Sequence, residues 1–276
     1  MRLDAHQHFW IFDPVRDSWI DESMAAIRRD FLPEDLAEIL EKYEFDGCVA
    51  VQADQTEEQN DFLLNQAGKN AFIKAIVGWV DLSANNIEDR LDYYQDYPLF
   101  KGFRHVLQGE AQRDLMLTPA FKNGISKLEK YKFTYDLLIF TDQINYAKKL
   151  AAQFPNQKFV LDHLAKPFIK SQEITDWRRD IKAIAQLENV SCKLSGMVTE
   201  ADWKTWKASD FDSYLDVVFE AFGTKRLLFG SDWPVCIIAG GYGKALSILT
   251  RYTQQLSHTE QQDIFGNNAA LFYNIK

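Results

Sequence analysis

The chain has 276 residues, 46% of them hydrophobic, and a formal net charge of −9 at pH 7. It has neither an apolar run of membrane-spanning length nor a basic cluster, so we expect a soluble cytoplasmic protein that binds neither membranes nor nucleic acid. Its three cysteines (Cys48, Cys192 and Cys236) lack paired spacing, which argues against a disulfide framework or a zinc ribbon.

Eight short apolar segments recur along the chain, with longer amphipathic segments between them. In chain order they are RLDAHQHF (from residue 2), GCVAVQAD (47), IKAIVGWVD (73), FKGFRHVL (100), FTYDLLIF (133), KFVLDHLA (158), VSCKLSGM (190) and RLLFGSDW (226). Strands that alternate with helices form parallel sheets, because parallel neighbours need a crossover connection. Eight such units in roughly 250 residues predict an α/β fold, a (β/α)₈ TIM barrel in a single domain over residues 1–276.

Several intervening segments carry signals of helix ends. Pro33 stands just inside PEDLAEILEKY, where its missing N–H costs nothing, and Thr118 precedes a proline as a predicted N-cap. Gly68 is predicted to stop the helix that begins near residue 57. Residues 10–24 show no such pattern, and we predict a long loop there that carries two tryptophans and an arginine.

The first strand carries polar residues that call for an explanation. Successive side chains of a strand point to opposite faces, so Asp4, His6 and His8 are predicted to share one face. Two imidazoles on one face can bind a cation, and Asp232 can add a carboxylate, since the last strand lies beside the first in a closed barrel. Such a zinc site keeps an open position for water. Without metal, Asp232 could itself take a proton from water that the histidines orient.

Other strands also end in residues capable of chemistry. These residues are Arg104 and His105 on strand four, Asp162 and His163 on strand six, and Asp232 after strand eight. A single histidine is more often a core residue than a proton shuttle, and an aspartate after Gly-Ser is often only a turn residue. Active sites of this barrel form at the C-terminal ends of the strands, however, and these residues are predicted to meet at that rim.

Several motifs together indicate a family. The motifs are DAHQHFW, GWVDL, KGFRHVLQ, VLDHLAKP, CKLSG, TEADW, FGSDWPVC and FGNNAALFYNI, spread from Met1 to nearly Lys276. They resemble the amidohydrolase-related sugar-lactonase family, which includes L-fuconolactonases and L-rhamnonolactonases and is similar to 2-pyrone-4,6-dicarboxylate lactonases. The resemblance implies a (β/α)₈ barrel that hydrolyses the cyclic ester of an aldonic acid.

The resemblance also implies site residues. His6 and His8 match the strand-one pair of the superfamily, His163 its strand-six histidine and Asp232 its strand-eight aspartate. The chain departs from metal-dependent members because strand five has no histidine and strand four lacks the bridging lysine or glutamate of binuclear members. We therefore expect at most one divalent ion, zinc by preference, on His6, His8 and Asp232, or a reaction without metal.

These observations predict a hydrolase of sugar catabolism that opens an aldonolactone, such as L-fucono- or L-rhamnono-lactone, to its acid. Asp232 is predicted to be the general base and then the proton donor, while His6, His8 and His163 orient the ester and stabilise the oxyanion. The predicted substrate-binding residues are Arg104, His105, Trp19, Trp79 and Lys166. Alternatives are a metal-dependent decarboxylase of the same superfamily, a 2-pyrone-4,6-dicarboxylate-type lactonase, and a binding protein without catalysis on a barrel scaffold.

Overall fold

All eight predicted strands are present in the computed structural model, which describes residues 1–276. They are β1 (Leu3–Gln7), β2 (Gly47–Val51), β3 (Ile73–Gly78), β4 (Phe100–His105), β5 (Thr134–Leu137), β6 (Phe159–Leu161), β7 (Val190–Leu194) and β8 (Leu227–Phe229). Each strand pairs in parallel with the next, in the order β1 to β8. The structure confirms the predicted (β/α)₈ barrel.

The barrel closes between β8 and β1 just beyond the C-terminal ends of these two strands. The N–H of Asp232 donates to the carbonyl of His6 over 2.9 Å, and the N–H of His8 donates to the carbonyl of Trp233 over 2.7 Å. These two hydrogen bonds hold the backbone of His6 and His8 against the backbone of Asp232 and Trp233.

Helices surround the barrel. They are α1 (Pro33–Lys42), α2 (Glu57–Lys69), α3 (Ile87–Gln95), α4 (Pro119–Leu128), α5 (Ile144–Gln153), α6 (Thr175–Ile184), α7 (Asp212–Phe222), α8 (Tyr242–Tyr252), α9 (His258–Gln262) and α10 (Asn268–Phe272). Pro33 opens α1, and the Thr118 hydroxyl accepts from the N–H of Phe121 as the predicted cap. Gly68 does not stop α2, because Asn70 is the first residue to leave the helical conformation. None of the helices has the length and apolarity needed to cross a membrane.

Two apolar clusters hold the fold together. The larger one packs the outward faces of the strands against the helices. The smaller one takes alternate inward residues of the strands, such as Leu3, Val49, Val77 and Val160, and includes Phe272 of α10. The C-terminal helix therefore covers one end of the barrel interior, and the opposite end is left for polar residues.

The predicted alignment of three polar residues on one face of β1 is wrong for Asp4. The pairing register of β1 with β2 shifts between Asp4 and Gln7, as in a β-bulge, so the alternation is interrupted. The Asp4 carboxylate accepts from the N–H groups of His6 and Ser231, over 3.1 and 2.9 Å. Asp4 thus ties β1 to the end of β8, while the His6 side chain turns into the barrel.

Candidate active site

A cavity of about 390 Å³ opens at the C-terminal ends of the strands. Its lining includes three deeply buried residues, His8, His163 and Asp232, which we call the floor. The loop after β1 contributes part of the wall, since Trp10 and Trp19 line the cavity, and Trp19 is half exposed. The predicted loop over residues 10–24 therefore borders the site.

Three histidines converge on the carboxylate of Asp232. Its Oδ1 lies 3.4 Å from Nε2 of His8, 3.9 Å from Nε2 of His6 and 4.0 Å from Nε2 of His163. The Nε2 atoms of His6 and His8 are 3.2 Å apart. The structure thus brings together all four residues that the sequence predicted as catalytic.

The atoms of His6, His8 and Asp232 fit one divalent cation. Tetrahedral zinc with bonds of about 2.0–2.1 Å places its ligand atoms about 3.3 Å apart, close to the separations among these three side chains. His8 Nδ1 lies 2.9 Å from the carbonyl of Val51, so Nδ1–H donates there and the Nε2 lone pair faces the site. A second possible group, with Asp162 and His163, shares His6 with the first.

The charge state of Asp232 follows from its surroundings. Burial alone would raise the pKa of its carboxyl, but the facing histidines, His163 foremost, hold that pKa well below the usual range. Asp232 is therefore ionised at neutral pH and can accept a proton.

An unusual backbone turn positions His163. Residues 163–166 all have φ between 51° and 57°, in the left-handed region, which costs about 1–2 kcal/mol per residue. The ring packs against Gly196, where a Cβ would lie 2.5 Å from Nδ1, and Nδ1 is 2.9 Å from Oγ of Ser195. Burial lowers the pKa of His163 to about 4, so the imidazole is neutral at pH 7.

Next to the floor lies a buried group of charges, which we call the sub-floor cluster: Arg104, which also lines the cavity, and Asp136, Asp162 and Lys193, which do not. Arg104 Nη1 is 3.2 Å from Asp162 Oδ2. Lys193 Nζ is 2.5 Å from Asp136 Oδ2 and 3.0 Å from Asp162 Oδ1. Two cations and two carboxylates balance one another, which a fully buried set of charges requires.

Sequence reasoning missed Lys193, Asp136 and Ser195. The first two interrupt otherwise apolar strand segments, VSCKLSGM and FTYDLLIF, and that interruption is the signal that could have revealed them. A charged residue in the middle of a buried parallel strand requires a partner, and each of these two is the partner of the other.

Two predicted substrate-binding residues lie away from the cavity lining. Trp79 Nε1–H donates to His105 Nδ1 over 3.2 Å, and His105 Nε2 is 2.7 Å from Oε1 of Glu110. Arg104 precedes His105 on β4, and because side chains alternate along a strand, it points inward and lines the cavity. Lys166 reaches the cavity from the turn after β6 and faces Glu200 at 3.4 Å.

A closed parallel barrel with histidines and a carboxylate at the C-terminal strand ends defines a (β/α)₈ enzyme. The family model described as Amidohydrolase matches residues 3–275, and the chain belongs to this family.

Similar proteins cover nearly the whole chain. It is 37% identical to an L-fucono-1,5-lactonase of Burkholderia multivorans, over 99% of this chain and 96% of the relative. It is 34% identical, with the same shares covered, to an L-fucono-1,5-lactonase of Burkholderia ambifaria. The crystal structure of an amidohydrolase from Burkholderia multivorans with bound zinc is 36% identical and superimposes with a TM-score of 0.96, covering 100% of both chains.

Proposed function

We propose that this protein hydrolyses a sugar 1,5-lactone, L-fucono-1,5-lactone or a close analogue, to the open-chain aldonic acid. The observation that carries the proposal is the convergence of three imidazoles on the ionised Asp232 at the end of a cavity. The full-length similarity to two L-fucono-1,5-lactonases supports the choice of substrate.

In this mechanism Asp232 acts as the base. Its carboxylate takes a proton from a water molecule, whose oxygen attacks the lactone carbonyl carbon from the β8 side. The bond from that carbon to the ring oxygen then breaks, and Asp232 returns the proton to the departing oxygen. The released carboxylic acid ionises, so each turnover yields one proton.

The histidines orient the ester and stabilise the developing oxyanion. His163 is neutral, and with the Ser195 O–H donating to its Nδ1, its Nε2–H faces Asp232 Oδ1 at 4.0 Å and can donate there or to the substrate. His8 has the reverse arrangement, because Nδ1–H is bound to the Val51 carbonyl and Nε2 can only accept or ligate. The two rings therefore offer complementary groups to a carbonyl and a water.

The nitrogen and oxygen donors of His6, His8 and Asp232 suit zinc, which a 36% identical amidohydrolase binds. Held by these residues, a zinc ion would act as a Lewis acid on the lactone carbonyl. We propose that the chain holds a single ion, because both possible ligand groups need His6.

The charges around the cavity favour a neutral substrate. Each cation that lines it faces a carboxylate: Arg16 with Asp17 at 2.8 Å, Arg104 with Asp162 at 3.2 Å and Lys166 with Glu200 at 3.4 Å. A hydroxybenzoate decarboxylase or a pyrone-dicarboxylate lactonase must bind the carboxylate of its substrate, for which unpaired cations are needed. A polyhydroxylated lactone needs hydrogen-bonding groups and an apolar wall, which this cavity has.

A substrate panel tests the proposal. Purified protein is mixed with L-fucono-1,5-lactone, L-galactono-1,5-lactone, δ-valerolactone and 2-pyrone-4,6-dicarboxylate, and proton release is followed with a pH indicator above the spontaneous rate. We expect turnover of the two sugar lactones and little of the other two. Faster hydrolysis of the dicarboxylate, or no turnover of any lactone, would overturn the assignment.

A further inference from the structure

His6 lies at the boundary between the floor and the sub-floor cluster, and both of its ring nitrogens have two polar neighbours. Nδ1 faces Lys193 Nζ at 3.1 Å and Asp162 Oδ1 at 3.4 Å. Nε2 faces His8 Nε2 at 3.2 Å and Arg104 Nη1 at 3.3 Å. Each ring nitrogen therefore has one donor and one acceptor within reach.

This arrangement satisfies either neutral tautomer of His6. With the proton on Nε2, the ring donates to the lone pair of His8 and accepts at Nδ1 from Lys193. With the proton on Nδ1, it donates to Asp162 Oδ1, which also faces Lys193 Nζ at 3.0 Å, and accepts at Nε2 from Arg104. A cation at Nε2 requires the second form, because only that form has a free lone pair at Nε2.

The two tautomers use different contacts of the ring, and these contacts differ in length. The Nε2–H form uses contacts of 3.1 and 3.2 Å, whereas the Nδ1–H form uses 3.4 and 3.3 Å. The Nδ1–H form also leaves the lone pairs of His6 and His8 facing each other at 3.2 Å, which is unfavourable without a cation or a proton between them. Before a cation arrives, the geometry therefore favours the Nε2–H form.

We propose that Lys193 is a positioning residue for His6: it stabilises the tautomer with the proton on Nε2, which holds the His6–His8 pair in place until a cation takes the Nε2 position. When a cation binds, the ring loses its proton at Nε2 and gains one at Nδ1, where the N–H donates a hydrogen bond to Asp162 Oδ1, so the ring is neutral in both forms. This inference rests on the proposed function only in placing His6 at the reaction centre.

The position of Lys193 is itself held from the far end of the chain. Asp136 Oδ2 accepts from Lys193 over 2.5 Å and from the Tyr273 hydroxyl over 2.8 Å. Tyr273 lies immediately after α10, in the motif FGNNAALFYNI. The C-terminal segment thus contributes to the site through Asp136 and Lys193, without touching the cavity.

The test reads the tautomer directly. Protein labelled with ¹⁵N-histidine contains only five histidines, and long-range proton–nitrogen spectra distinguish the two neutral tautomers by their ring-nitrogen shifts. The His6 signals are identified by their loss in His6→Gln. We expect metal-free wild-type protein to show His6 with its proton on Nε2, and added Zn²⁺ to move that proton to Nδ1. A metal-free wild type with the proton on Nδ1 would overturn the proposal.

The decisive variant is Lys193→Met combined with Asp136→Asn, which removes a cation and an anion together and leaves the buried charge balanced. We expect its metal-free His6 to shift to the Nδ1–H form, while the signals of His163 stay unchanged. Zinc affinity, measured by competition with a chromophoric chelator, should be at least that of wild type. The proposal is contradicted if the His6 tautomer of the double variant is the same as in wild type. It is also contradicted if zinc binds 10- to 100-fold more weakly, which is the loss expected from general damage around a metal site.

A second pair of variants decides the matter if the double variant does not fold. Tyr273→Phe removes one hydroxyl, so Asp136 attracts Lys193 more strongly and the Nδ1–H fraction of His6 should rise. Tyr94→Phe is the matched control, because the Tyr94 hydroxyl is also buried and also donates to a carboxylate, that of Glu57 over 2.7 Å, in the outer helical layer. Equal effects of the two substitutions, or no effect of Tyr273→Phe, would refute the role assigned to Lys193.

Discussion

Replacing Asp232 by asparagine removes the proposed base while keeping nearly the same shape. Loss of general-base catalysis typically lowers the rate ~10²–10⁴-fold, and we expect the upper end, about 5.4 kcal/mol, because the same group also returns the proton. No other carboxylate can substitute. Asp162 is paired with Arg104 and Lys193, and Asp54 at the cavity wall accepts from the Gln55 N–H and the Thr56 hydroxyl.

The assay compares kcat for L-fucono-1,5-lactone in wild type and Asp232→Asn, with the fold checked by circular dichroism. His258→Asn serves as the control, because His258 opens α9, on the outside of the barrel, and its loss should leave kcat nearly unchanged. An Asp232→Asn protein with near-normal kcat would refute the reasoning and make His163 the next candidate for the base.

Three further outcomes are expected. Elemental analysis of purified protein should find at most one divalent ion per chain, and two tightly bound ions would contradict the shared role of His6. L-Fucono- and L-galactono-1,5-lactone should differ less in kcat/KM than either differs from a lactone that lacks a ring hydroxyl. A missing ring hydroxyl leaves a polar group of the site without its partner, which costs more binding energy than a change at a methyl group. An unsubstituted lactone that is hydrolysed equally fast would count against this. Burial favours the neutral His163 ring and lowers its pKa, so the ring gains a proton only as the pH falls through about 4. We therefore expect kcat/KM to decline near that pH. A decline centred near the ordinary histidine pKa of 6.5 would contradict this role of His163.

The fold was predictable because its signals are local. Each strand is a short apolar segment between amphipathic ones, and the size of the repeat matches a (β/α)₈ barrel. The first helix positions were also readable, since Pro33 and Thr118 act through their own backbone and side chain. The end of α2 was not, because the glycine at position 68 is compatible with a helix as well as with its end.

The site was predictable only in part. The strand ends indicated which strands contribute, and His6, His8, His163 and Asp232 do meet. The bulge that turns Asp4 away depends on pairing between strands, which no local pattern encodes.

The sub-floor cluster escaped prediction for a similar reason. Lys193 and Asp136 are separated by 57 residues, on β7 and β5, and only the folded sheet brings their side chains together. Strand alternation, applied to β4, would have separated Arg104, which faces the cavity, from His105, which contacts Trp79.

Hydrolysis of L-fucono-1,5-lactone in ¹⁸O-labelled water, with the product analysed by mass spectrometry, tests the central claim most directly. Attack of water on the carbonyl carbon beside Asp232 predicts enzyme-dependent formation of the aldonic acid with one ¹⁸O atom, located in the carboxyl group. Product formed no faster than the spontaneous reaction, or label in the hydroxyl released from the ring, would contradict the account.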